Sequence, residues 1–290
     1  MVVLVTGGKG QLGQALQAAA AQHADLQFYF ASSAEADVTS IDSLSAVFTK
    51  VKPDFCINAA AYTAVDKAES EPDAAHAINV AGAKNCAEVC KDHNTILLHV
   101  STDFVFNGSK TQPYNELDVT SPQSVYGATK RQGELEIEKV LDKHYIVRTS
   151  WLYSQYGNNF LKTMLRLGRE RDELSVVNDQ IGTPTNANDL ADALISIIDF
   201  NIVYPHDGNY GTYHYSNEGQ CTWYDFAKKI FDLHDITINL QPIPTSAYPT
   251  PAKRPEYSVL NKEKIKSVIN LDIKSWEESL KTQLLNHSNK

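Results

Sequence analysis

The chain has 290 residues, 42% apolar, 9% aromatic and 21% charged, an ordinary globular composition that suits one large α/β domain or two unequal lobes. Its net charge of -9 offers no chain-wide positive field for a polyphosphate backbone or an anionic bilayer, so neither nucleic acid nor membrane is an expected partner. A small anion needs only local amide donors, which leaves a nucleotide open. Cys56, Cys86, Cys90 and Cys221 form no CxxC pair and the histidines no HExxH, so no metal site is expected. Cys86 and Cys90 read as small buried residues on one helix face, not as a redox pair.

Met1-Val2-Val3-Leu4-Val5 enters glycines without a basic leader and reads as the first strand of a cytoplasmic protein, not as a signal peptide. Apolar runs then alternate with helical periodicity, the pattern of βαβ units in a doubly wound α/β fold with a parallel sheet. Leu12, Ala15, Leu16 and Ala19 mark the first helix, and Leu26 to Phe30 the second strand. Ile41, Leu44, Val47 and Phe48 mark the next helix, before a third strand at Phe55 to Asn58. A helix from about Pro72 carries Ala75, Ile78, Gly82, Cys86 and Val89 inward, and Ile96 to Val100 is the fourth strand. Past Pro122 a polar helix runs to about Leu141, and Tyr145-Ile146-Val147 is another buried strand. After Trp151 the rhythm loosens, and Tyr204 to Pro255, rich in Tyr, Pro, Asn and Gly, reads as a smaller loop-rich lobe.

Gly7, Gly10 and Gly13 make G-x-x-G-x-x-G between the first strand and the first helix. A tight turn, a close pyrophosphate approach and helix-to-strand packing each exclude a Cβ there. The expected organisation is a Rossmann domain over 1–155, with 185–203 returning to it, and a substrate-binding lobe over 156–184 and 204–290. The acidic residue expected after the second strand is missing; Ala31-Ser32-Ser33 stands there, with Lys9 in the glycine turn. A carboxylate would hold the ribose diol of NAD and repel a 2'-phosphate, so NADPH is the expected cofactor and NADH the alternative. Asp37, in Asp37-Val38-Thr39, is a candidate for the adenine amino group or for a turn.

Tyr126 and Lys130 stand four apart on one helix face. A tyrosine with a pKa near ~10 is a reluctant acid-base group, and a neighbouring ammonium brings it closer to working pH. The spacing alone is weak, since a chain this rich in tyrosine gives roughly one chance match, and Tyr224 with Lys228 repeats it. Position separates the two. Ser101-Thr102-Asp103 follows the fourth strand at the carboxyl edge of the sheet, where open α/β folds bind ligands. Tyr224, with Phe226 and Ile230, reads instead as part of an amphipathic helix facing a core.

Gly7 to Gly13, Asn58-Ala59-Ala60-Ala61, Asn79, Ser101-Thr102-Asp103 and Tyr126 with Lys130 resemble the extended short-chain dehydrogenase/reductases over the first half of the chain. Ala61 to Glu69, Ser101 to Phe106, Arg148-Thr149-Ser150-Trp151, Gly157 to Phe160, Asn178-Asp179-Gln180 and Pro244 to Pro249 narrow the resemblance, out to about residue 260, to the dTDP-4-dehydrorhamnose reductase family. The resemblance implies NAD(P)H-dependent reduction of the C4 ketone of dTDP-4-dehydro-6-deoxy-L-mannose to dTDP-L-rhamnose. It implies Tyr126 as the proton source, Lys130 as the residue that binds the nicotinamide ribose and tunes the phenol, and Thr102 as the partner of the C4 oxygen. Gly7, Gly10, Gln11, Leu12, Gly13, Asp37, Val38, Ala59, Ala60 and Ala61 would bind the cofactor, together with Tyr126 and Lys130. Asp103 and Trp151 would join Thr102 around the nucleotide-sugar substrate, and Arg254 would meet its diphosphate.

Plainer readings stand beside these: Trp151 as core, Asn79 as a structural hydrogen-bonder, Arg254 as a surface arginine, and Asp66-Lys67-Ala68-Glu69 as a solvated, salt-bridged helix start. Dehydratases of the superfamily follow Thr-Asp with a glutamate; Phe104 stands here, so elimination lacks its acid-base group. A sugar-nucleotide epimerase and a non-catalytic, cofactor-binding regulatory subunit are the other readings. Retention of Thr102, Tyr126 and Lys130 argues against the second. Some family members form a magnesium-bridged dimer through glutamates near Pro184 to Asp189. Asn188 stands where that carboxylate would fall, which leaves magnesium, and the choice between monomer and homodimer, open. Asp189 reads as a helix cap or first-turn residue.

Overall fold

In β1 (Val2–Thr6), Val3 and Val5 face one side of the sheet and Leu4 the other, and all three are fully buried. Such a strand must be covered on both faces. The computed structural model, which describes residues 1–205 and 208–287, extends this into a six-stranded sheet. Its order is Gly211–His214, β5 (His144–Thr149), β4 (Ile96–Thr102), β3 (Phe55–Asn58), β1, β2 (Gln27–Phe30), and every pairing is parallel. The chain leaves β1 to one side for β2 and to the other for β3. The crevice at their carboxyl ends is therefore the switch point at which such sheets bind ligands.

Two layers of helix cover the sheet. Leu12 and Leu16 of α1 (Gln11–Ala20) share a core with Leu190 and Leu194 of the Ala187–Val203 helix. On the opposite face, Leu44 and Phe48 of α2 (Ile41–Val51) meet Cys86 and Val89 of the Gly82–Asp92 helix and Ile137 of the Val125–Val140 helix. All four cysteines are free and buried. No helix among the described residues is long and apolar enough to cross a membrane.

Two elements depart from the sequence expectation. The main sheet extends past the boundary at 204, because Gly211–His214 pairs with β5 from Gly211 opposite Tyr145 to His214 opposite Arg148. Tyr213 and Tyr215, which colour the stretch as loop by composition, alternate inward onto the sheet, where aromatic residues pack well. Ile265, Ile269 and Ile273 join the same core, so the return to the sheet is not confined to 185–203. Of that stretch, 206–207 and 288–290 lie outside the described residues.

The helix expected from Pro72 is also not continuous. Pro72–His76 passes through a π-helical turn, Ala77–Ala81, before Gly82–Asp92. That turn holds Asn79 inward, where Oδ1 accepts from the Tyr62 amide at 2.9 Å and Nδ2 donates to the Tyr62 carbonyl at 3.2 Å and to Thr129 at 3.1 Å. Gly133 of the Val125–Val140 helix lies so close to the Asn79 carbonyl that no Cβ fits. The widened turn thus docks the helix that carries Tyr126, in keeping with the functional placement of such bulges.

The smaller lobe is built on the Phe160–Glu170 and Trp223–Leu233 helices and on a parallel ribbon of Glu173–Val177 with Asn239–Ile243. Phe226, Ile230 and Phe231 form its core with Leu174 and Val176. Tyr224 and Lys228 thus belong to an amphipathic helix, started by a Thr222–Asp225 capping box.

Candidate active site

The glycine turn is shaped by what a side chain would strike. Gly7 has a φ of 68°, and a Cβ on it would stand 2.8 Å from the Ala59 carbonyl carbon and the Ala60 nitrogen. A Cβ on Gly13 would stand 2.6 Å from the backbone of Gly8. The Gly10 amide turns back to the Gly7 carbonyl at 2.9 Å, and no side chain caps α1. The amides of Gln11, Leu12 and Gly13 therefore face the crevice without an intrahelical partner, at the positive end of the helix. This donor set and close backbone approach fit a dinucleotide pyrophosphate.

The side chains of Gln11 and Leu12 are engaged elsewhere. Leu12 is core, and Gln11 Oε1 accepts from the Ser154 hydroxyl at 2.9 Å and the Asn159 amide at 2.8 Å, which joins the turn to the lobe. After β2, Glu35 supplies the carboxylate that the strand end lacks in sequence. It accepts from the Ser32 amide at 2.9 Å and hydroxyl at 2.6 Å, and these bonds hold its pKa below the ordinary carboxylate value. Asp37 makes an Asx turn, accepting from the Thr39 amide at 2.9 Å and hydroxyl at 2.7 Å. Val38 is buried, its methyls against Gly82.

At the reacting end, the Val125–Val140 helix starts beside the end of β4. Ser124 accepts from the Gly127 amide at 3.2 Å, and Glu69, from the short Asp66–Glu69 motif, accepts from the Val125 amide at 2.8 Å. Gly127 lies directly on the Phe104 carbonyl, and the Tyr126 ring meets Phe104 edge-on at 5.5 Å. Thr102 and Asp103 are the groups near enough to act on the ionisation of its phenol. Burial pushes Tyr126 up to about 12; the Thr102 hydroxyl opposes the shift and the Asp103 charge adds to it. Asp103 is itself buried, which pushes it up to about 6. Its Oδ1 accepts from the Thr102 hydroxyl at 3.1 Å, while its Oδ2 is buried without a hydrogen-bond partner among the described residues.

Lys130 is engaged with β4 in this structure. Its Nζ donates to the Val100 carbonyl at 2.7 Å and meets His99 Nε2 at 3.1 Å, and burial pulls it down to about 8. Its Nζ is thus bonded to groups of β4, beside the strand end that carries Thr102 and Asp103. His99 went unnoticed in the sequence. Its signal is a single imidazole in the strand Ile96–Thr102, in register with Asn58 on β3, but only the sheet pairing brings the two together.

In the lobe, Trp151 adopts a φ of 46° and stacks on Trp223 at 3.5 Å, with Phe160 a further 4.7 Å from Trp223. A Cβ on Gly182 would stand 2.5 Å from the Trp151 indole, so the glycine makes room for the stack. Trp223, Phe160, Gln180 and Arg254 line a cleft of about 970 Å³, whose walls do not include Thr102, Asp103, Tyr126 or Lys130. Arg254 is bidentate to Asp66, at 2.7 and 3.0 Å. Asp66 and Glu69 are thus a brace between the lobe loop and the Tyr126 helix, and not merely a solvated helix start.

At the far end, Asn188 donates to Gln155 at 3.4 Å, and Asp189, in the first turn of a helix capped by Asn186, accepts from Asn217 at 2.7 Å and from Ser279. Among the described residues no three His, Cys, Asp or Glu side chains converge as a metal site would require.

The chain matches the family model described as RmlD substrate binding domain over residues 1–289. A dTDP-4-dehydrorhamnose reductase of Aggregatibacter actinomycetemcomitans is 41% identical, over 96% of this chain and 97% of its own. A solved dTDP-4-dehydrorhamnose reductase from Clostridium acetobutylicum aligns with a TM-score of 0.93 at 41% identity, covering 99% of this chain and 100% of that one. Another, from Bacillus anthracis and in complex with NADP, aligns with a TM-score of 0.92 at 40% identity, covering 98% and 99%. The glycine turn at the switch point and these full-length matches converge: the chain is an oxidoreductase and belongs to the dTDP-4-dehydrorhamnose reductase family.

Proposed function

We propose that this protein reduces the C4 ketone of dTDP-4-dehydro-6-deoxy-L-mannose to dTDP-L-rhamnose, with NADPH as reductant and Tyr126 as proton donor. One observation carries the reading: a half-buried tyrosine, its phenol desolvated, stands with a threonine hydroxyl and a buried carboxylate at the carboxyl end of β4, on the same sheet edge as the glycine turn. Bound NADPH supplies the hydride. Thr102, by turning its hydroxyl proton from Asp103 to the ketone oxygen, polarises the carbonyl. Tyr126 remains protonated at neutral pH, because burial holds it near the top of its range, and so is an acid ready to neutralise the oxygen as charge develops there. Asp103 orients Thr102, and its unpaired Oδ2 is an acceptor for a sugar hydroxyl. The Trp151–Trp223 stack and the Arg254 guanidinium suit a pyranose face and a diphosphate. The NADP-bound relative from Bacillus anthracis supports NADPH over NADH, with Glu35 the charge that opposes it.

The test is NADPH oxidation dependent on dTDP-4-keto-6-deoxy-L-hexose generated in situ, with the product identified as the rhamnosyl nucleotide. Interconversion of UDP- or dTDP-hexoses without added reductant would instead establish an epimerase.

A further inference from the structure

A buried polar chain, Thr6–Asn58–His99–Lys130, crosses β1, β3 and β4, and of its members only Lys130 has an expected place at the cofactor. Hydrogen-bond complementarity fixes its protons. The Ala60 amide can only donate, so the Asn58 atom facing it at 3.2 Å is the oxygen, which also accepts from the Thr6 hydroxyl at 2.7 Å. Asn58 Nδ2 therefore faces His99 Nδ1, at 3.1 Å, and Nδ1 must be the acceptor. A neutral imidazole with its lone pair on Nδ1 carries its proton on Nε2. The imidazolium, with protons on both nitrogens, is incompatible with the same contact, and burial disfavours it too.

Nε2–H then points at Lys130 Nζ, 3.1 Å away. An ammonium has no lone pair with which to accept. The contact is a hydrogen bond only when Lys130 is an uncharged amine, which still donates to the Val100 carbonyl. Other charges bear on the pair. Glu134, one turn along the same helix, favours the ammonium, but it is already bound by Arg148 of β5 and by Arg131. His144 of β5 is the remaining titratable group that acts on His99.

We propose that His99, locked as the Nε2–H tautomer by Asn58, is a positioning residue that favours the uncharged amine of Lys130 in the cofactor-free protein. Cofactor binding then places a proton from the buffer on Nζ, as Nζ exchanges the ring for acceptors on the dinucleotide. The ammonium that would tune Tyr126 thus arises only in the loaded enzyme. This second step rests on the reading of Lys130 as a cofactor ligand; the tautomer does not.

Nitrogen-15 NMR of the His99 ring in the full-length, cofactor-stripped protein tests the first part. Nε2 is expected to stay protonated and Nδ1 bare from about pH 5.5 to about pH 9, and a proton on Nδ1 anywhere in that range overturns the inference. Calorimetric titration with NADPH at about pH 8.5, in buffers of different ionisation enthalpy, tests the second. Proton uptake on the order of half an equivalent is expected. It should fall at least about twofold in His99→Gln, whose amide can turn its oxygen to Lys130 and stabilise the ammonium before the cofactor arrives. Unchanged uptake in a His99→Gln protein that binds NADPH overturns the proposal. Should that variant not fold, the ring-nitrogen measurement on the native chain decides alone. Failure of the native chain to bind NADPH overturns the functional reading and leaves the tautomer result standing.

Discussion

The two walls of the crevice are built by different means. On the proposed dinucleotide side the features that suit recognition belong to the backbone: bare glycines, uncapped amides of α1, and alanines after β3 that leave space. On the proposed substrate side it would lie in side chains, namely a half-buried phenol, a buried carboxylate, an indole stack and a braced guanidinium. Backbone sites are defined by steric exclusion and read out locally. Side-chain sites depend on partners from several elements, and their electrostatics follow from burial.

The largest effect should come from Tyr126→Phe, which removes the proposed proton source and little volume. Turnover is expected to fall by roughly 10²- to 10⁴-fold with NADPH affinity retained; steady-state kinetics beside calorimetry decide it, and unchanged turnover removes the phenol from the chemistry. Asp103→Asn sharpens the electrostatic half of the comparison. A carboxyl raised from 3.8 to about 6 in the fold binds its proton more tightly there than in the unfolded chain. Its stabilising contribution is present below the unfolded pKa and is lost as pH rises through the window between the two values. At about pH 8 the asparagine variant should be more stable by on the order of 3 kcal/mol, with no gain at about pH 3.5. Denaturant midpoints at the two pH values test this, and a gain of equal size at both would refute it.

On the dinucleotide side, Gly13→Ala forces a methyl against the Gly8 backbone, a shift of about 1–3 kcal/mol. NADPH affinity should drop by roughly 10- to 100-fold; native affinity would show that the pyrophosphate lies elsewhere. Trp223→Ala removes one face of the indole stack, worth about 0.5–1.5 kcal/mol beyond buried area, so KM for the sugar nucleotide should rise by up to about tenfold. A change confined to KM for NADPH would reassign the stack. The smallest effect is expected from Glu35→Gln, since an exposed charge is screened: a gain of about two- to fivefold in kcat/KM for NADPH over NADH. No change in that ratio would place the 2'-phosphate away from Glu35.

Much of the dinucleotide wall was legible before any fold was known. Gly7, Gly10 and Gly13 sit within seven residues of one another, between a strand and a helix, and their steric meaning is local. Tyr126 and Thr102 could be singled out because each lies next to an element boundary. Glu35 was missed because its carboxylate reaches Ser32 by folding back after the strand, and strand-end reasoning looks only at the strand end. The strand Gly211–His214 was hidden by aromatic and glycine content that reads as loop until β5 supplies its pairing partner. The role of Asp66 became visible only through Arg254, 188 residues away.

The alternation of strands and helices, the position of the glycine turn and the chemical types of the candidate site residues are encoded locally along the chain. These follow from side-chain period, sterics and intrinsic chemistry, which are properties of short segments. The partners of these groups emerge only on folding: Tyr126 becomes desolvated, which raises its pKa, Asp103 keeps an oxygen without a hydrogen-bond partner among the described residues, and Lys130 lies against His99 and the Val100 carbonyl. Hydrogen bonds and desolvation depend on which atoms from distant segments share one low-dielectric space, and no spacing along the chain encodes that.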